Sequence, residues 1–248
     1  MSKKISAFGV LAGDAVDMAA DIIPINDVSV AASLQNKIIT PIELKVALQG
    51  LRVPSLTTFN YTANGTSSVM SSSYNAAKGL SLVRTDGGTA GERVSLIGKT
   101  VPASSPWTAN AKIQMAIPVL SGSTIFAGGM CLYNTGSSKF ICFGLQYLNG
   151  TIKRFSVYYT GLNTFSADIT TVTVNPPYPV WFQIVESATT YTFNYSYDSG
   201  ITWLLHGTAL KASYFTADRV GVAMTTSSTV AFNNTSLVEH YDDPDVPL

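Results

Sequence analysis

The stretch 180–232 most constrains what this chain can fold into. Trp181-Phe182-Gln183-Ile184-Val185 combines aromatic and β-branched residues, as a strand does. After a polar break at Ser187-Ala188, Tyr191, Phe193, Tyr195 and Tyr197 alternate with Thr192, Asn194, Ser196 and Asp198. A period of two sends the aromatic rings to one face and the polar groups to the other. Asp198-Ser199-Gly200 reads as a turn, because Asp bonds the backbone ahead and Gly accepts φ > 0. Trp203 opens the return strand, and Val220–Met224 forms a further buried strand. The core is expected to include Trp181, Ile184, Phe193, Trp203, Val220 and Val222.

Three pieces of this stretch carry a resemblance. The Trp181-Phe182-Gln183-Ile184 strand, the hairpin Ser196-Tyr197-Asp198-Ser199-Gly200-Ile201-Thr202-Trp203 and the Val220-Gly221-Val222 strand follow one another in order. Order and spacing resemble the second half of a concanavalin A-like (laminin-G-like) jelly roll, with one Ser inserted between Asp and Gly. The rest of the chain agrees. Gly79–Arg84 and Val94–Lys99 read as a hairpin around Asp86-Gly87-Gly88, and Trp107–Val119 as a long strand with Ile113, Met115 and Ile117 on one face. Asn149-Gly150 is a hairpin turn, Ile169–Val174 a strand, and Pro176–Pro179 a stiff turn. About a dozen strands with regular turn signals give a mainly β fold, an antiparallel sandwich over residues 52–240 with a polar tail, 241–248.

Residues 1–51 are too few for an independent core. Ile22-Ile23-Pro24-Ile25 and Lys37-Ile38-Ile39 are short extended segments. Thr40-Pro41-Ile42-Glu43 is a helix start, with a cap, a proline at the first helical position and a capping-box Glu, and the helix is expected to end near Gln49-Gly50. Lys4-Ile5-Ser6-Ala7-Phe8, then Ala20–Ile25, then Lys37–Leu44 resemble the opening segment of tailed-phage fibre, spike and head-appendage proteins. That resemblance implies a virion structural protein anchored to capsid or tail through Ile5, Ile22, Ile23, Ile25, Ile38, Ile39, Ile42 and Leu44, self-associating as a homotrimer, and assembled in the bacterial cytoplasm.

Composition narrows the function classes. Among 248 residues only 12% are charged, and fifteen Lys+Arg balance fifteen Asp+Glu, so no electrostatic footprint for nucleic acid exists. Low charge fits a surface partly covered by other subunits, and fits equally a β-rich protein with Ser/Thr/Asn/Gly surfaces. No apolar run approaches a membrane-spanning length. After Lys3-Lys4, Gly9, Gly13 and Asp14 interrupt Ile5–Leu11, so no targeting signal is expected.

No catalytic constellation emerges. Glu92, Asp168, Glu186 and Asp198 are isolated carboxylates expected in solvated turns and edges, without the paired spacing a glycosidase needs. His206 and His240 lack Cys or Asp partners at ligand spacing. Asp242-Asp243-Pro244-Asp245 lacks the Gly and distal Glu of a calcium loop. The expectation is therefore no enzyme, no cofactor and no metal. Aromatics remain, and Tyr158, Tyr178, Tyr197 and Tyr214 are the candidates for stacking on host surface glycans, with core packing as the competing reading. A carbohydrate-binding module, or an accessory domain of a glycoside hydrolase, is the alternative to the virion protein.

One register can be derived. Pairing Tyr133 with Phe140 around Thr135–Ser138 sets Cys131 opposite Cys142. Met130, Leu132, Ile141 and Phe143 then share one face and Cys131, Tyr133, Phe140 and Cys142 the other, so both faces are expected to be covered. In a reducing cytosol the pair stays as two buried thiols.

Overall fold

The computed structural model describes residues 59–75, 79–86, 91–116, 125–148, 150–227 and 232–241, together with the strands β1 (Ile23–Ile25) and β2 (Lys37–Ile39). The chain divides into two compact units, Met1–Leu51 and Arg52–Leu248. In the first, β1 and β2 pair antiparallel, Ile23 with Ile39 and Ile25 with Lys37. The helix expected from Thr40, and the anchoring candidates Ile5, Ile22, Ile42 and Leu44, lie outside the described residues.

The second unit is a two-sheet antiparallel β-sandwich. Its strands are β3 (Tyr61–Asn64), β4 (Ser68–Asn75), β5 (Gly79–Asp86), β6 (Glu92–Thr100), β7 (Trp107–Ala116), β8 (Ile125–Tyr133) and β9 (Phe140–Leu148). There follow β10 (Thr151–Gly161), β11 (Thr164–Thr173), β12 (Trp181–Glu186), β13 (Thr190–Ser196), β14 (Leu204–Leu210), β15 (Arg219–Ser227) and β16 (Phe232–Tyr241). One sheet has the order β11-β10-β9-β8-β15-β6-β3 and the other β14-β13-β12-β7-β16-β5-β4. The only helix in the described part of this unit is a 3-10 turn, Lys211–Ser213, and no described helix is long and apolar enough to cross a membrane.

Two expectations need correction. β5 and β6 are not a hairpin: β5 pairs with β4 and β16, whereas β6 pairs with β3 and β15 in the opposite sheet. A Gly-rich break between two strands reads the same in sequence whether the strands pair or part into different sheets. β16 was not anticipated, because Asn233 and Asn234 interrupt its apolar pattern, yet it lies centrally between β5 and β7.

The main core fills the space between the sheets. Leu80 and Leu82 of β5, Ala109, Ala111 and Ile113 of β7, Phe182 and Ile184 of β12, and Phe193 of β13 meet Met130, Leu132, Ile141, Phe143, Val220 and Val222 of the other sheet. Phe143 is its hub, with ring centroids 5.4 Å from Phe182 and 5.3 Å from Phe193.

The first sheet has a second buried face. Val94, Leu96, Ala127, Cys131, Tyr133, Phe140, Cys142, Phe155, Val157, Tyr159 and Ala223 form a separate apolar cluster there. The sheet curls until its far parts meet. The turn between β10 and β11 reaches β6, where the Val94 N–H donates to the Leu162 carbonyl at 2.9 Å. Asn163 Oδ1 accepts the Thr66 N–H at 2.8 Å beside it. Two cross-strand glycine pairs, Gly98 with Gly221 and Gly129 with Gly144, permit this curvature. A Cβ on Gly221 would lie 2.0 Å from the Ile97 carbonyl oxygen, and one on Gly144 would lie 2.1 Å from that of Gly128. Strands approach this closely only where no side chain intervenes. The derived register holds: Cys131 faces Cys142, both free and buried, and burial raises both thiol pKa values far above the ordinary range.

Candidate functional site

The four candidate tyrosines do not converge. Tyr158 is buried in the core and stands edge-on to Tyr214 at 4.9 Å. Tyr178 is half-buried against the same core. Tyr197 is exposed and stands edge-on to Tyr195 at 5.6 Å, apart from that pair. Alternation identified strand faces, but which aromatic ring meets which depends on the sheet order.

Charged groups form local networks. Arg154 lies 3.5 Å over the Tyr195 ring and donates to His206 Nδ1 at 3.2 Å. The opposite ring nitrogen, Nε2, lies 3.2 Å from the Thr170 carbonyl, which makes it the protonated one. Burial, and then the neighbouring Arg154 charge, lower the His206 pKa to about 4, so the ring is neutral. Glu186 is not the isolated, solvated carboxylate expected, and Asp218 also has a partner. Glu186 is buried and paired with Lys211, and Asp218 binds the Thr135 hydroxyl. Glu92 is half-buried beneath the curled sheet, 3.4 Å from the Tyr159 hydroxyl, and burial raises its pKa to about 7. Asp168, exposed on β11, raises it slightly further. Among the described residues no three His, Cys, Asp or Glu are grouped to hold a metal.

The turn after β13 is built as its sequence indicates. Ser196 Oγ accepts N–H groups from Asp198 (3.2 Å) and Gly200 (3.0 Å), and Asp198 Oδ1 accepts the Thr202 N–H at 2.8 Å. Ser199 and Gly200 take positive φ, 61° and 81°. The Ser196 hydroxyl and the Thr202 amide hold the Asp198 carboxyl down at about 2. The turn places Gly200 against both indoles: a Cβ there would lie 3.2 Å from Trp203 and 3.8 Å from Trp181. Trp181 is buried under this turn rather than between the sheets, because Phe182 beside it faces the core. Trp203 is only half-buried. Trp181 is thus buried as expected, though outside the cluster between the sheets, and Trp203 leaves the expected core.

On the outer face of the second sheet an amide ladder crosses three strands. Asn110 pairs with Gln183, and Gln183 with Asn194. Their strand neighbours Ala109, Ala111, Phe182, Ile184 and Phe193 face the core, so alternation turns all three amides outward. Gln183 Nε2 donates to Asn110 Oδ1 at 2.9 Å, and Asn194 Nδ2 donates to Gln183 Oε1 at 2.9 Å. Leu205 continues the row on β14 and is 63% exposed. Thr108, Val185, Thr192 and Thr208 form the adjacent row. Beyond the ladder on the other side, Lys112 is ion-paired with Glu239, which also accepts from Gln114 Nε2 at 2.8 Å. The three amides are half-buried, as the floor of an open sheet face is. The alternation that puts Asn194 on a polar face is legible in the sequence, but the candidate binding residues are drawn from the aromatics alone, and the pairing with Gln183 and Asn110 is not legible there.

No family model matches the chain, and no curated protein matches it in sequence. Solved structures do share its fold. A functionally unknown protein from Saccharomyces cerevisiae superposes with a TM-score of 0.52 at 15% identity, over 77% of this chain and 99% of that one. The GH43B protein of the Bacteroides ovatus xyloglucan PUL gives 0.46 at 19% identity over 66% of this chain, which spans 32% of that protein. The exoplasmic/lumenal domain of VIP36, bound to Ca2+ and Man3GlcNAc, gives 0.43 at 8% identity, over 76% and 84% of the two chains. These likenesses concern the fold alone.

Proposed function

We propose that this chain is a bacteriophage virion appendage subunit, a fibre, spike or head decoration, whose N-terminal arm attaches it to the particle and whose sandwich, a jelly roll of the concanavalin A-like type, recognises the host surface. One observation carries the attachment role. The two segments that hold the phage-like motif, around Ile22–Ile25 and Lys37–Ile39, pair with each other as β1 and β2 within a unit of their own. An arm that orders itself is suited to docking on another protein, since its few residues cannot enclose a core. Ile23, Ile25, Ile38 and Ile39 are the anchoring residues in these strands. The sandwich owns a separate core, so it can project as an oligomer, a homotrimer by the family resemblance, while the arm remains seated. The low charge of the chain suits a surface shared between subunits. Deleting residues 1–50 tests the role directly. The truncated chain should keep the cooperative unfolding of the sandwich and be absent from purified particles by quantitative mass spectrometry. Incorporation at the normal copy number would remove the attachment role.

A further inference from the structure

We propose that the outer face of the second sheet is a binding site for an uncharged glycan, held by the Asn110–Gln183–Asn194 ladder. This rests on the reading of the sandwich as the recognising part of the chain, and it moves the site away from the tyrosines.

The chemistry of the ladder selects hydroxyl-rich ligands. A primary amide carries two N–H donors and two carbonyl lone pairs. The bonds within the ladder run in one sense, from Asn194 to Gln183 to Asn110, so each amide is fixed in orientation and polarised by the next. Gln183 spends one N–H and one lone pair on its neighbours, which leaves one of each beyond the ladder. Adjacent sugar hydroxyls are each donor and acceptor and match such a donor–acceptor edge. Neighbouring strands lie about 4.8 Å apart, so the ladder spans roughly 10 Å, the reach of two hexose rings. Leu205 at the end of the row, and Val185 beside it, offer apolar surface to the C–H faces of those rings.

Charge complementarity sets the ligand class. None of the three amides ionises. Lys112 and Glu239, beside the ladder, are paired with each other. Asp198 in the adjoining turn stays anionic at any working pH and disfavours phosphate, sulfate and uronate groups. The opposing candidate, the inner face of the curled first sheet, is filled by its own side chains.

The test uses the full-length chain on an array of neutral oligosaccharides alongside sialylated, uronate-containing and phosphorylated ones, followed by calorimetry with the strongest neutral binder. Gln183→Ala should weaken binding about tenfold, the loss of one or two net hydrogen bonds. Thr192→Trp, which blocks the face from the neighbouring row without touching the ladder, should abolish it. Tyr197→Ala, off the ladder, should leave it unchanged. Thermal unfolding checks that each variant is folded, and Thr192→Trp decides if Gln183→Ala is not. A blank array would end the carbohydrate reading itself. Wild-type affinity in both ladder-face variants would place recognition elsewhere on the sandwich. Preference for charged glycans would overturn the ligand class.

Discussion

The two sheets use their outward faces in opposite ways. The first turns a row of Cys131, Cys142 and Val157 inward on itself, closed by the Val94–Leu162 hydrogen bond. The second leaves Asn110, Gln183 and Asn194 on an open face. Both faces derive from the same alternation of side chains along a strand. Where both alternating sets are apolar, as on β8, β9 and β15, the sheet must be covered twice, and here it does so by curling. Where one set is polar, as on β13, the sheet stays open and is available for recognition.

Adding atoms to each face should expose the contrast most strongly. Gly221→Val puts a side chain where a Cβ already lies 2.0 Å from the Ile97 carbonyl. We expect more than about 4 kcal/mol of destabilisation, or an insoluble chain. Thr208→Val on the exposed row of β14 should change the unfolding free energy by less than about 0.5 kcal/mol. Equal effects would show that the first sheet is not closed. Between the sheets, Phe143→Ala should cost about 3–5 kcal/mol in chemical denaturation, because three rings, including His206 at 5.3 Å, lose their hub.

Two titratable groups, buried His206 and half-buried Glu92, give opposite pH dependences. His206 between the sheets is neutral in the fold with a pKa near 4, whereas its unfolded value is 6.5. The unfolded chain takes the proton first, so this contribution is full above pH 6.5 and is lost as pH falls towards 4, on the order of 2–3 kcal/mol. Glu92 under the curled sheet has a folded value near 7 against 4.5. Folding favours its protonated form, so stability is greatest below pH 4.5 and declines as pH rises through 7. Urea titrations from pH 4 to 8 should show His206→Gln removing the acid-side loss and Glu92→Gln removing the alkaline one. Slopes that both variants leave intact would mean that these groups are solvated.

Trp203 marks a smaller effect than Phe143, and the limit of sequence reading. A large aromatic after a turn reads as core, yet Ser196 and Asp198 fold the turn over Trp181 and leave Trp203 half-buried. Trp203→Ala should cost about 1–2 kcal/mol, less than Phe143→Ala. What depends on one hairpin was legible: the strands, the Cys131–Cys142 register and the doubly apolar β8–β9 pair all follow from period and turn chemistry. What depends on sheet order was not. Local pattern cannot tell that β5 and β6 part into different sheets, that β16 slips between β5 and β7, or that residues as distant as Asn110 and Asn194 share a ladder. That Tyr158 meets Tyr214 while Tyr197 meets Tyr195 was hidden for the same reason, since ring contacts depend on neighbouring strands.

Native-state alkylation of an Asn194→Cys variant, read by peptide mass spectrometry, tests the contrast between a closed and an open face most directly. The introduced thiol on the open face should label within minutes, while Cys131 and Cys142 remain unmodified until the sandwich unfolds. Labelling of either native thiol at a comparable rate under native conditions would contradict the closed face, and protection of the introduced thiol would contradict the open one.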